Sequence, residues 1–445
     1  MKRLFEIAIL CVILWLVAVP AAMADYEYID ITNPFLKKIP LAIPQFKVYS
    51  ADAAATEAFG NAARILSQSL DFTGYFKILD PAAYLYDPAD PPVIGPNIDF
   101  ANWTGIGAEL MITGSMLTRE GVVEVELRLF DTFKEKLIVG KKYTAQVGDL
   151  KKIIRRFCSE VLLALTGSSG YFDTQIAFVS TGTGNKEIYT CDFDGADARQ
   201  LTHNNAITLF PAWSSDRQWI AYTAYTRGRP DLYIKNLTQP QGYVVAEKGI
   251  NVKPAWVPGR FELAATLSFS GDQEIYLLTG TGKIIKRLTH TGGIDVHPAW
   301  SPDGNKMAFV SDRAGTPQIF IMEMDSGQVR RLTYDGRYNT QPSWSPRGDK
   351  IAYSAMDDNQ LNIRVIGVDG QGGMQLTREA GDNEGPSWSP DGSLIAFSST
   401  REGPSRIYVM TAFGTDQRQL LALPGQQSDP EWSPSSMKSK ALSGF

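Results

Sequence analysis

Short runs that alternate hydrophobic and polar residues fill the second half of the chain, and they return at a fixed spacing. A Pro-x-Trp motif opens each return, with its tryptophan at Trp213, Trp256, Trp300, Trp344, Trp388 and Trp432. These six tryptophans are 43, 44, 44, 44 and 44 residues apart. A period of about 40 to 50 residues that contains short strand patterns and turn residues is typical of β-propeller blades.

The phase of this repeat predicts how the ring closes. A strand of the Ile-Ala-Phe type also occurs six times, starting at Ile176, Ile220, Leu263, Met307, Ile351 and Ile395. The first copy has no Pro-x-Trp before it, and the last Pro-x-Trp, at residues 430–432, has no copy after it. We therefore predict an all-β six-bladed propeller over residues 173–434. Its C-terminal strand should complete the blade that residues 176–202 begin, which removes the open edges of a linear stack.

Turn residues follow most of the tryptophans, as in Ser-Pro-Asp-Gly at 301–304. We interpret Asp303 and Asp391 as turn formers rather than as metal ligands or catalytic acids. Gly259 and Arg347 occupy the equivalent positions of other repeats, and calcium needs several oxygens that converge on one point.

The first half of the chain mixes helical and strand patterns. Apolar residues have helical spacing over 51–70 and 149–165, with Asp149 as the expected N-cap and Gly167 as the stop. Strand patterns occur at 39–46, 75–79, 110–116, 122–130 and 136–143. We expect an α+β domain over residues 25–165, built as a mixed sheet with two main helices. A Gly/Ser-rich linker at 166–172 should follow it, and a flexible tail at 435–445 should follow the propeller.

Residues 1–24 are typical of a secretory signal peptide, with Lys2 and Arg3, an apolar run at 7–19 and Ala-Met-Ala at 22–24. The apolar run is shorter than the ~20 residues of a membrane-spanning helix, and no later segment has that length. The mature chain should therefore be released outside the cytoplasm. Its two cysteines, Cys158 and Cys191, can pair or remain buried thiols; we favour buried thiols, although spacing alone does not decide this.

Charge and motifs exclude several functions. The net charge is -5 without a long basic run, which is not the pattern of a nucleic-acid-binding protein. Motifs for a serine-hydrolase elbow, a zinc protease and a phosphate loop are missing, and the three histidines, His203, His290 and His297, all belong to the repeat. We therefore expect no catalytic residues, no cofactor and no metal. The alternative is a propeller that binds or hydrolyses a small molecule or glycan in its axial funnel.

The order of these parts resembles the TolB family of the Tol-Pal system. The resemblance covers the mature chain, including the segments 66–79, 102–110, 165–167, 175–180 and 430–434. It implies a periplasmic, non-catalytic scaffold that binds the peptidoglycan-associated lipoprotein Pal and the inner-membrane protein TolA. It also implies a role in outer-membrane integrity and in envelope constriction during cell division, which can involve other outer-membrane or division proteins.

Two sets of partner-binding residues follow. The family binds TolA through its mature N-terminus, and residues 25–33 match that strand in character; the candidates are Tyr26, Glu27, Tyr28, Ile29, Asp30 and Ile31. Pal binds one rim of the propeller, where we expect variable loops before the Pro-x-Trp motifs. The candidates there are Asn251, Lys253, Asp295, His297, Asn339, Thr340, Asp382 and Glu384. Ordinary solvated loops are the alternative interpretation of this second set.

Overall fold

The computed structural model describes residues 37–49, 60–87, 90–119, 121–378 and 381–436, and it shows an α+β domain followed by a propeller. The predicted signal peptide, the TolA-binding candidates and the tail beyond Ser436 lie outside the described residues.

The first domain contains a six-stranded mixed sheet. Its strands are β1 (Ile39–Ala42), β2 (Lys47–Tyr49), β3 (Phe76–Ile78), β4 (Leu110–Arg119), β5 (Val122–Asp131) and β6 (Lys136–Gln146). The order is β3-β1-β4-β5-β6, with β2 also on β4. Pairs among β1 to β4 are parallel, whereas β4, β5 and β6 form an antiparallel meander. The helices are α1 (Ala62–Asp71), α2 (Phe100–Gly105) and α3 (Leu150–Thr166), and α1 packs on α3.

The prediction of a mixed sheet with two main helices is confirmed. Helix α3 ends as expected, because Gly167 has a φ of 76° and donates its N–H to the Leu163 carbonyl at 3.1 Å. At the other end the expected N-cap residue is confirmed, but its side chain does not cap the helix. Asp149 occupies the N-cap position, but its carboxylate accepts a hydrogen bond from Lys152 Nζ at 2.7 Å instead of a backbone N–H. Cys158 and Cys191 are buried free thiols, as we favoured.

Six four-stranded antiparallel sheets form the propeller, and we name the strands of each blade a to d from the axis outwards. Blade 1 contains β7 (Gln175–Ser180), β8 (Glu187–Asp192) and β9 (Arg199–Gln200). Blade 2 contains β10 (Thr208–Trp213), β11 (Trp219–Ala224), β12 (Asp231–Asn236) and β13 (Gly242–Val245). Blade 3 contains β14 (Asn251–Trp256), β15 (Glu262–Leu267), β16 (Glu274–Thr279) and β17 (Ile284–Arg287). Blade 4 contains β18 (Asp295–Trp300), β19 (Lys306–Ser311), β20 (Gln318–Glu323) and β21 (Val329–Arg331). Blade 5 contains β22 (Asn339–Trp344), β23 (Lys350–Asp357), β24 (Gln360–Gly367) and β25 (Met374–Gln375). Blade 6 contains β26 (Asn383–Trp388), β27 (Leu394–Ser399), β28 (Arg406–Thr411) and β29 (Arg418–Gln419).

The ring closes as the repeat phase predicts. The last strand, β30 (Gln427–Trp432), is strand a of blade 1 and pairs antiparallel with β7. The chain continues to Ser436, whose backbone N–H donates to the Asp173 carboxylate at 2.7 Å. The end of the propeller is thereby joined to its beginning.

In four blades the repeated tryptophan donates its indole N–H to a carbonyl of the blade before it. Trp256 Nε1 donates to the Ala212 carbonyl at 3.1 Å, and Trp300 Nε1 donates to the Ala255 carbonyl at the same distance. Trp213, in blade 2, reaches the Glu431 carbonyl of blade 1 at 3.1 Å. Trp344 is buried in the same way, but its Nε1 makes no hydrogen bond. The motif therefore supplies both apolar area and a directed contact between blades.

The two domains share one hydrophobic core. Tyr171 and Phe172, in the predicted linker, are fully buried there. The Tyr171 ring lies 5.4 Å from that of Trp432, and Phe193 lies 5.4 Å from Phe72 of the first domain. Aromatic rings at such distances contribute packing beyond the area that they bury, so this segment fixes the domains together rather than merely connecting them.

Candidate functional site

The propeller has two faces with different surroundings. Strands alternate in direction, so the loops from a to b and from c to d lie on one face, which we call the domain face. The first domain packs there: Lys38 lies 3.6 Å from Asp416, and Arg155 lies 2.8 Å from Asp194. The loops from b to c, and from d to the next strand a, form the opposite face, which we call the open face.

Ion pairs hold the first domain against the domain face of blade 1. Arg155 of α3 is largely buried and pairs with Asp192 at 2.7 Å as well as with Asp194. Lys151, one turn earlier, pairs with Asp192 at 2.8 Å and with Asp197 at 2.6 Å. Removing one partner of a buried pair costs about 3–5 kcal/mol, because the other charge is left uncompensated. The domain face of blade 1 is therefore committed to the contact between domains.

A ring of six backbone bulges forms the pore at the open face. In each blade, the register of strand a against strand b shifts just before the Pro-x-Trp proline. The residue at each shift has a positive φ between 50° and 64°. These residues line the pore mouth, a cavity of about 120 Å³, and they are Phe210, Lys253, His297, Gln341, Gly385 and Asp429. A backbone that repeats six times thus presents six different residues.

Charges in the pore are partly removed from water. Lys253 Nζ lies 3.3 Å from the centre of the Phe210 ring, and burial lowers the pKa of this lysine to about 8. Glu431 lies one residue beyond its blade's proline, where burial raises the pKa of the carboxyl to about 7. Its Oε2 accepts a hydrogen bond from Ser387 Oγ at 3.4 Å. Burial, and then the charge of Asp429, raise the pKa of Glu384 at the lip of the pore.

His297 is held as a neutral group. Its Nδ1 lies 3.0 Å from Thr340 Oγ1 of the next blade. Burial, with the positive charge of Lys253 adding to it, lowers the pKa of this imidazole well below its ordinary value. His297 therefore contributes shape and hydrogen bonding at neutral pH rather than charge.

The structure corrects our interpretation of the Pal candidates as variable loops. Asn251, Asp295 and Asn339 are the buried first residues of strands a, and Asp295 pairs with Arg313 at 2.9 Å. Their side chains stabilise the blades, because each fills a polar site inside the fold. The other candidates divide in this way: Lys253 and His297 line the pore, Thr340 is buried against His297, Glu384 is half-buried at the lip and Asp382 is exposed.

Sequence reasoning missed the other pore residues, Phe210, Gln341, Gly385 and Asp429. A signal was present, because the residue before each Pro-x-Trp proline differs in all six repeats. Gly385 also leaves a gap in the ring, and its N–H donates to Gln341 Oε1 and to Ser354 Oγ, both at 3.0 Å.

The turn interpretation of the aspartates holds. Asp303 accepts hydrogen bonds from Ser301 Oγ at 2.5 Å and from the Asn305 N–H at 3.0 Å, and these bonds hold the pKa of its carboxyl below the ordinary value. Asp391 accepts from Ser389 Oγ at 2.6 Å in the same way. In the part of the chain that the structure describes, no three His, Cys, Asp or Glu side chains gather into a metal-ligand cluster. None of the described helices has both the length and the apolar character of a membrane span.

Comparison with known proteins gives the same architecture. Residues 163–436 match the model of the TolB beta propeller domain, and residues 27–138 match that of the TolB amino-terminal domain. A Tol-Pal system protein TolB from Desulfosudis oleivorans is 56% identical over 283 residues, which are 63% of this chain and 65% of that protein. A TolB homolog from Chlorobaculum tepidum is 45% identical over 269 residues, 60% of this chain and 59% of its own length.

A solved structure agrees over a longer span. The crystal structure of TolB from Acinetobacter baumannii covers 90% of this chain and 97% of its own, with a TM-score of 0.79 and 25% sequence identity. The match to the propeller model alone covers more than half of the chain, and the amino-terminal model covers most of the first domain. The chain therefore belongs to the TolB family.

Proposed function

We propose that this protein is a periplasmic, non-catalytic scaffold of the Tol-Pal system that binds Pal on the open face of its propeller. The observation that carries the proposal is the pore mouth, where one repeated backbone position is occupied by six different residues. Purely structural positions of the repeat keep their residue, as the tryptophans do, whereas recognition of a single partner requires differences. The contacts of the first domain described above lie on the domain face, at blades 1 and 6, and they leave the open face free for a partner.

TolA binding is assigned to the mature N-terminus, with Tyr26 to Ile31 as an extended segment that adds to a sheet edge of the partner. Lys38, just after this segment, lies beside Asp416 of blade 6. Lys38 itself therefore lies at the seam between the domains rather than at the pore mouth. One chain can thereby contact Pal and TolA through separate surfaces, which is what a link across the envelope in outer-membrane integrity and cell division requires.

The competing function, a small molecule or glycan in the axial funnel, has less support at the pore mouth. Ligand pockets usually enclose about 300–1,000 Å³. The pore mouth encloses about 120 Å³ and is lined on all sides by prolines that fix the backbone. It is better suited to accept a side chain of a docked protein.

The test is capture of partners from an envelope fraction of the source organism by the mature protein. We expect recovery of a peptidoglycan-associated lipoprotein and of TolA. A chain that begins at Pro34 is the matched variant, and it should retain the lipoprotein while losing TolA. Failure to capture the lipoprotein would remove the Pal assignment, and full TolA capture by the shortened chain would remove the N-terminal one.

A further inference from the structure

Six equivalent positions surround the pore mouth on the open face, one residue before each strand a. We call them the shoulder positions; they are Ile207, Ile250, Ile294, Tyr338, Asp382 and Gln426. In five blades the shoulder carbonyl accepts a backbone N–H from the residue that follows strand b, as Tyr225 donates to Ile207 at 2.9 Å and Thr181 to Gln426 at 3.0 Å. In blade 5 the donor to Tyr338 is Met356, near the end of β23, at 2.9 Å. Because the backbone is the same at all six, their side chains are free to differ without affecting the fold.

The shoulder side chains divide the open face into two sides. Four consecutive blades carry apolar shoulders, and Ile207, Ile294 and Tyr338 are 47%, 43% and 40% exposed. Phe269 and Tyr334, on neighbouring loops of the same face, are also exposed. We call these four shoulders and two aromatic residues the apolar crescent. Scattered exposed apolar residues are ordinary, whereas a set that follows the rim of a cavity over consecutive repeats marks an interaction surface.

The remaining side of the mouth is acidic. Asp382 is the exposed shoulder there, and Glu384 and Asp429 follow at the lip. Glu384 faces two acids, Asp382 and Asp429, and two cations, Lys253 across the pore and Lys186 of blade 1. Lys253 is itself shared, because it also faces Asp429 and the deeper Glu431. The lip thus retains negative charge that the protein's own cations only partly offset.

We propose that the apolar crescent and the acidic lip form one docking surface, and that the protein bound there presents an apolar ridge ending in a lysine or arginine. The ridge covers the crescent, and the cationic group lies over the lip beside the gap at Gly385. This inference rests on the proposed function, since it describes the surface that Pal must present. An anionic lipid surface is disfavoured as the occupant because such surfaces bind clusters of basic residues.

The asymmetry also fixes the orientation of the partner. A ring with six identical shoulders would accept a partner in six rotations, whereas an arc of four apolar blades opposite an acidic pair accepts one. The crescent supplies the desolvated area from which most binding energy comes, and the charge mainly sets the register and the association rate.

The apolar part is tested by titrating the full mature protein with the soluble domain of Pal. Ile294→Ser and Tyr338→Ser should each weaken the Kd roughly tenfold, as central apolar contacts do. Ile284→Ser and Ile285→Ser are the matched controls, because these residues are 39% and 45% exposed on the outer strand β17. The controls should bind like the unaltered protein, and all four variants should keep its melting temperature.

The acidic lip is tested with the variant Glu384→Gln. Glu262→Gln, on the domain-face side of blade 3, is the control. Glu384→Gln should weaken binding and reduce the dependence of Kd on salt, whereas Glu262→Gln should change neither. Tighter binding by Glu384→Gln would refute the cationic end of the ridge.

The outcomes separate the two proposals. If the unaltered protein binds Pal and the crescent variants bind equally well, the docking surface is wrong while Pal binding stands. If the unaltered protein does not bind Pal, the proposed function fails and this inference fails with it. Self-association that the crescent variants abolish would show that a second copy of the chain is the occupant, and would also overturn the proposal.

Discussion

Single residues in this propeller have their properties set by the blade position that they occupy. The residue after each repeated proline is alanine or serine in five blades and Glu431 in the remaining one. A small side chain is buried there at little cost, whereas a carboxylate loses the water that solvates its charge. In the structure, Ser387 Oγ donates a hydrogen bond to the Glu431 carboxylate. Its raised pKa is the direct consequence, because burial disfavours the charged form.

This position predicts a pH-dependent stability. Burial raises the pKa of Glu431 to about 7 in the folded chain, from an ordinary value of 4.5. The loss of folding stability that comes from burying its charge is therefore absent below pH 4.5 and complete above pH 7. Glu431→Gln should therefore leave the free energy of unfolding unchanged at pH 4.5. At pH 8 it should raise that energy by about 1–2 kcal/mol, a value reduced for water in the pore and for lost attraction to Lys253.

Urea denaturation of both proteins at the two pH values measures the difference. An equal gain in the free energy of unfolding at both pH values would show that ionisation of Glu431 is not the cause. A loss at pH 8 would show that the Lys253 attraction outweighs the burial cost.

The tryptophans allow a second comparison between equivalent residues. Trp300 and Trp344 are each 9% exposed, but only Trp300 donates its indole N–H, to the Ala255 carbonyl. Phenylalanine removes the same ring volume at both sites. Trp300→Phe should therefore destabilise the protein by about 1–2 kcal/mol more than Trp344→Phe, because it removes a hydrogen bond to a partly buried carbonyl. Equal losses in urea denaturation would show that these hydrogen bonds add nothing to packing.

At the scale of elements, closure of the ring depends on β30. Without it, Trp213 loses its carbonyl acceptor and the edge of β7 is exposed. Deleting residues 427–445 should unfold or aggregate the protein, whereas deleting residues 437–445 should leave its melting temperature unchanged. The shorter deletion keeps Ser436, because the backbone N–H of this residue donates a hydrogen bond to the Asp173 carboxylate. The same melting temperature for both deletions would contradict closure by this strand.

The sequence predicted elements well where a physical pattern repeats, and poorly where it is interrupted. Blade number and closure followed from the phase of the Pro-x-Trp motif, which carries turn and packing chemistry at every return. The starts of strands a were mistaken for loops, because a bulge with positive φ breaks the period-two alternation just before the proline. The pattern located the N-cap at Asp149 correctly, but it could not show that the carboxylate pairs with Lys152 instead of a backbone N–H.

At the scale of the whole molecule, the relation between the domains could not be predicted from sequence. It depends on contacts such as Arg155 with Asp194 and Phe72 with Phe193, which join residues far apart in the chain. These contacts place the first domain on one face of the ring and leave the other exposed. The pore residues follow the same rule, since their convergence comes from closing the ring rather than from local spacing.

Hydrogen exchange of the mature protein, with and without the soluble domain of Pal, tests the central claim most directly. Binding at the open face should slow exchange in the loops at 202–207, 246–250, 289–294 and 333–338, which lead into strands a. Exchange in α3 and at residues 192–197, on the domain face, should not change. Protection confined to the domain face, or no protection at saturating Pal, would contradict a scaffold that binds Pal at the open face of its propeller.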